Sequence, residues 1–135
     1  MKYIAALPAR FAIVAAAASL TSCVTYHLRD DGIARARFGE TITVSGTQIT
    51  PVKMLEDSRC PQGVQCVWAG RVRISATIKS GSTSDTRELT LSEPISVADR
   101  QLTMVEVYPD PRKDRTVYPE EYRFGFSLAP KTAPR

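Results

Sequence analysis

Arg71-Val-Arg-Ile-Ser-Ala-Thr-Ile-Lys79 alternates without a break: Val72, Ile74, Ala76 and Ile78 share one face, Arg73, Ser75, Thr77 and Lys79 the other. Successive side chains of an extended chain point to opposite sides, so this stretch reads as a strand with one face in a core and one in water. The same reading extends outward in both directions. Ser80-Gly-Ser-Thr-Ser-Asp85 supplies a hairpin loop, and Thr86 to Leu91 returns with Leu89 and Leu91 on one face. Upstream, Thr41-Ile-Thr-Val44 alternates, Ser45-Gly46 breaks it, and Thr47 to Leu55 resumes with Ile49, Val52 and Met54. Downstream, Pro94 separates two segments, and Gln101 to Tyr108 is rich in β-branched and aromatic residues. Pro109 to Asp114 is a charged loop, and Tyr122, Phe124, Phe126 and Leu128 alternate in a last strand. Six to seven short strands at roughly ten-residue spacing predict an all-β fold, a single small antiparallel sandwich or barrel-like domain.

Composition agrees with one ordinary domain. The chain has 135 residues, 43% apolar and 24% charged, which excludes collagen-like, wholly disordered and multi-span membrane classes. A formal charge of +4, scattered along the chain, gives no case for nucleic acid. Three cysteines are an odd number, so one thiol needs a separate explanation if the others pair.

Residues 1–22 supply it. Lys2 and Arg10 precede an apolar run from Phe11 to Leu20, then small residues lead to Cys23. This is the plan of a secretory signal, and the run is too short for a transmembrane helix, which needs roughly 20 residues. Leu20-Thr21-Ser22-Cys23 resembles the lipobox of bacterial lipoproteins, which are cut just before a cysteine carrying diacylglycerol. The resemblance implies loss of residues 1–22 and a lipid anchor on Cys23. Val24 stands where an aspartate would signal inner-membrane retention, so the resemblance also implies the outer membrane, facing the periplasm. Lys2 and Arg10 leave with the signal, and the formal charge falls from +4 to +2. Residues 23–38 read as the lipidated cysteine and a tether, with a short ordered piece around Ile33. His27, the only histidine, lies in that tether as a solvated side chain. The β domain is expected over residues 39–129 and a flexible tail over 130–135.

The most distinctive segment is Asp57-Ser-Arg-Cys-Pro-Gln-Gly-Val-Gln-Cys-Val-Trp-Ala-Gly70. In an oxidising compartment Cys60 and Cys66 are expected to form a disulfide, and taking Cys23 as the lipid site leaves them an even pair. Asp57 and Ser58 suit the loop entrance as acceptors of backbone N–H groups. Trp68 is placed to pack against the bridge and cover the core edge, and Gly70 admits torsions that other residues resist. The segment resembles a family of uncharacterised bacterial exported proteins, often lipoproteins, sharing Asp-Ser-Arg-Cys-Pro and Cys-Val/Ile-Trp-Ala-Gly between two strands. That resemblance implies the domain boundary and the disulfide; it implies no activity.

Candidate chemistries are few. An oxidised cysteine pair and one tethered histidine supply neither a zinc site nor a histidine triad, so no metal and no cofactor are expected. Acidic residues at Glu56-Asp57, Glu120-Glu121, Asp110 and Asp114 read as surface charges. The expected function is non-catalytic: a lipid-anchored envelope protein whose β domain binds or builds structure. Asp57, Arg59, Gln62, Gln65 and Trp68 form its candidate binding loop, with Arg59, Gln62 and Gln65 as exposed contacts. Partners are the membrane through the anchor, and an envelope protein or polysaccharide. Inhibition of an envelope enzyme by the stapled loop is an alternative, and a carboxylate-based hydrolase a more distant one.

Overall fold

A computed structural model describes residues 31–131. Eight strands form two four-stranded antiparallel sheets packed face to face. They are β1 (Ala34–Ala36), β2 (Ile42–Val44), β3 (Thr47–Asp57), β4 (Val72–Ser80), β5 (Thr83–Thr90), β6 (Pro94–Val97), β7 (Arg100–Tyr108) and β8 (Arg123–Pro130). One sheet has the order β1-β8-β7-β6, the other β2-β3-β4-β5. The expected all-β sandwich is present, with eight strands where six to seven were expected.

The strands not read from the sequence are β6, where Pro94 reads only as a break, and β1. Residues 34–36 fall inside the expected tether, yet Ala34 and Ala36 are buried and pair with Phe126 and Phe124. Two alanines give little apolar periodicity, and Phe126 and Phe124 supply the bulk on the partner strand. The domain therefore begins ahead of Gly39. Cys23, His27 and the lipobox lie outside the described residues, as does the tail beyond Lys131.

The core follows the alternation read from the sequence. Val72, Ile74, Ala76 and Ile78 are buried, as are Leu89 on β5 and Tyr122, Phe124 and Phe126 on or beside β8. Burying such side chains contributes about 1.5–3 kcal/mol each relative to exposure. Phe38, from the β1–β2 connection, meets the Phe124 ring edge-on at 4.8 Å and closes the loop end of the core. Hairpin turns are tighter than expected: Ser80 pairs with Thr83, so two residues, not six, join β4 to β5. Ser45 and Gly46 both take positive φ, which matches the twist of a two-residue hairpin.

Bulges decide which residues of β3 face inward. Val52 and Leu55 are extra residues with no opposite number on β4, so Pro51, Met54 and Asp57 point toward the core in place of Lys53 and Leu55. A third bulge, at Val105, turns Val107 inward and Glu106 outward on β7. The two ends of the sandwich consequently differ. Two-residue turns at 45–46, 81–82 and 98–99 gather at one end, and the long connections 58–71 and 109–122 at the other.

Candidate functional site

The segment from Asp57 to Gly70 leaves β3 at the loop end, and its first three residues fix its course. Asp57 closes β3 facing inward, where Arg59 meets it side-on: Nε donates to Oδ1 at 2.9 Å and Nη2 to Oδ2 at 2.8 Å. The same guanidinium donates to the carbonyls of Val107 at 3.0 Å and Pro109 at 2.9 Å, tying the segment to β7 of the opposite sheet. Tyr122 completes the cluster, its hydroxyl donating to Asp57 Oδ2 at 2.8 Å. A planar guanidinium with five donors suits this arrangement, which a lysine ammonium could not reproduce.

The electrostatics follow from that geometry. Burial pushes the Asp57 carboxyl up, but the hydrogen bonds from Arg59 and Tyr122 outweigh it and hold the carboxyl below its ordinary range. Burial first, and then the hydrogen bond it gives to Asp57, push the Tyr122 hydroxyl up to about 12. Glu56, one residue away, faces outward and is engaged by Ser58, Arg71 and Arg73. Glu56, Asp57 and Glu88 are all shifted downward, the direction of ion-paired carboxylates and opposite to that of a general acid.

Ser58 and Gly70 close the stem. The Ser58 N–H donates to the Arg71 carbonyl at 2.9 Å, and its hydroxyl accepts from the Arg71 N–H at 3.0 Å. Gly70 has φ +69°, and a Cβ there would lie 1.8 Å from the Ser58 carbonyl oxygen, so no other residue fits. The Cys60–Cys66 disulfide, Cα atoms 5.9 Å apart, staples the middle of the segment. The Gln62 N–H donates to the Pro111 carbonyl at 2.8 Å and sets the stapled loop alongside the 109–122 connection.

Two expectations need correction. Arg59 is not an exposed contact: its side chain is 13% exposed and serves as a bracket between the sheets. Trp68 does not cover the core edge but stands 82% exposed beside Val67, 89% exposed, with Val64 also out in solvent. The connection is held through Arg59, Ser58 and the disulfide, and Phe38 and Tyr122 already fill the core edge. Gln62 and Gln65 are exposed as expected. Tyr122 was not foreseen as a partner of Asp57; only its place at the start of the last alternating segment hinted at inward orientation. Taken together, the loop has a hydrogen-bonded stem and a disulfide staple, and it presents Val64, Val67 and Trp68 to solvent. Among the described residues no group of three or more histidine, cysteine, aspartate and glutamate side chains is poised to hold a metal ion. No family model, curated protein or solved structure matches the chain.

Proposed function

We propose that the protein is a non-catalytic binding module of the bacterial cell envelope, anchored by lipid on Cys23 to the outer membrane and facing the periplasm. Its stapled loop is the contact surface, and its partner is an envelope protein with an apolar cleft. The observation that carries this reading is the exposure of Val67 and Trp68 between the Cys60–Cys66 staple and the Ser58–Arg71 stem, both of which are fixed. Tryptophan is the residue most concentrated at the energetic centres of interfaces, where a few side chains supply most of the affinity. A loop ordered before binding loses little conformational entropy on association. Gln62 and Gln65 surround the tip as a polar rim.

The same exposed tryptophan on a stapled loop favours a narrower second reading, in which the cleft belongs to an envelope enzyme and the loop inhibits it. A photo-crosslinking residue placed at Val67 in intact envelopes, against one at Thr86 on exposed β5, tests the contact surface. One discrete adduct from position 67, absent from position 86 and lost in Trp68→Ser, is the expected result. No adduct, or the same adducts from both positions, would refute the loop as a contact surface. Loss of the captured protein's enzymatic activity on adding the purified domain would select the inhibitor reading.

A further inference from the structure

The outer face of the β1-β8-β7-β6 sheet carries a second feature, independent of the stapled loop. In one row across β1, β8 and β7 stand Arg35, Gly125 and Glu106. Gly125 has no side chain, so Arg35 reaches over it and grips Glu106, Nε to Oε2 at 2.9 Å and Nη2 to Oε1 at 3.1 Å. A Cβ on Gly125 would come within 2.9 Å of Glu106 Oε2. Arg35 also donates to Asp31 at 2.8 Å, so the one cation of this row is matched by two carboxylates.

The next row toward the loop end is not so matched. Arg123 stands in register with Tyr108 on β7, and Arg37, just past the end of β1, lines the same cleft and recess as Arg123. Two like charges gathered in one recess repel each other. Arg35, Arg59, Arg71, Arg73, Arg112 and Arg115 each have a carboxylate partner. The Arg37 and Arg123 side chains, like those of Arg87 and Arg100 elsewhere, have none among the described residues, and the first two share one cleft; Arg37 engages Glu40 only through its backbone N–H. The row opens into a cleft of about 780 Å³ whose wall includes Arg115, Glu120 and Glu121 from the 109–122 connection, Glu121 being paired with Arg115. A recess of about 280 Å³ runs along Arg35, Arg37, Glu40 and Arg123.

We propose that this cleft binds an acidic saccharide. Arg37 and Arg123 hold its carboxylate, their planar forks matching the two oxygens and relieving their mutual repulsion. Tyr108, 50% exposed, offers a ring face to the apolar side of the sugar, and Glu120 accepts hydrogen bonds from its hydroxyls. A bare inorganic anion would leave most of the cleft and the tyrosine face unused.

Calorimetric titration of the full chain with a glucuronate-containing disaccharide, its neutral counterpart, acetate and phosphate tests the proposal. The acidic disaccharide is expected to bind at least tenfold more tightly than the other three. Arg37→Gln, Arg123→Gln and Tyr108→Ala should each weaken it by about tenfold or more, and Arg112→Gln, outside the cleft, should leave it unchanged. Equal affinity for acetate or phosphate would reduce the site to a simple anion site and overturn the saccharide assignment; no binding of the acidic disaccharide would overturn the whole proposal. Without ligand, Arg123→Gln should melt at the same temperature as the parent or higher, because a repulsion is removed. A lower melting temperature would mean the guanidinium is already satisfied within the fold, which also overturns the proposal. Arg123→Lys keeps the charge and loses the fork, so its binding should fall even if the glutamine variant does not fold.

Discussion

Asp57 joins three parts of the molecule through one carboxylate: the end of β3, the loop through Arg59, and the β8 side through Tyr122. Its folded-state affinity for protons is lowered, so the stability it contributes is present above the unfolded carboxyl value, about 3.9, and disappears as pH falls below that. Asp57→Asn leaves the largely buried Arg59 charge with only the more distant, exposed Asp110 carboxylate at 3.7 Å and should cost at most about 3 kcal/mol at pH 7 in urea unfolding. The gap between parent and variant should narrow as pH falls below about 3.9; a gap independent of pH would count against this account. Tyr122 behaves in the opposite sense. Its raised value means that its contribution is intact below about pH 10 and lost as pH rises through about 12. At this scale the sequence disclosed the backbone-accepting roles of Asp57 and Ser58, because those partners lie close by or across one loop. It did not disclose the bracket made by Arg59, whose acceptors are 48 and 50 residues away, nor the outward turn of Trp68.

At the scale of elements, the reading succeeded where period-two alternation runs unbroken, as in β4 and β8, and weakened where a bulge resets the phase. Alternation alone cannot tell that Met54 takes the inward place of Lys53, or that Glu106 turns outward, because one inserted residue reverses every later side chain. β1 escaped notice for a different reason: its short Ala-Arg-Ala run owes its burial to Phe124 and Phe126 opposite. The cleft beside it depends on that pairing and was equally invisible. The stapled segment makes a separable prediction. Replacing Cys60 and Cys66 together by serine frees a seven-residue ring and should lower stability by about 2.4 kcal/mol on the chain-entropy account. The β-sheet circular dichroism should survive, since Ser58, Arg59 and Gln62 still hold the loop by hydrogen bonds. Collapse of that signal at neutral pH would show the staple to be essential to the fold itself.

For the whole molecule, the two sheets meet in one core, and the division of labour lies between its ends: tight turns at one, long connections at the other. If lipid on Cys23 is the anchor, Cys23→Ser should release the protein into the soluble envelope fraction with the mass of the acyl chains missing. Retention in the membrane fraction would remove the anchor from the account. The direction of β1 then acquires a meaning of its own. β1 runs antiparallel to β8 and toward the long connections, so the chain arrives from the pole of tight turns. Ten residues lie between Cys23 and Ala34, and the eleven Cα–Cα steps across them reach at most about 38 Å; Ala34 in turn pairs with Phe126, three residues and about 10 Å from the loop end of β8. A domain suspended in this way carries Trp68 on the side away from its mooring, and the length of its leash caps at about 50 Å the height above the bilayer at which the base of that loop can search.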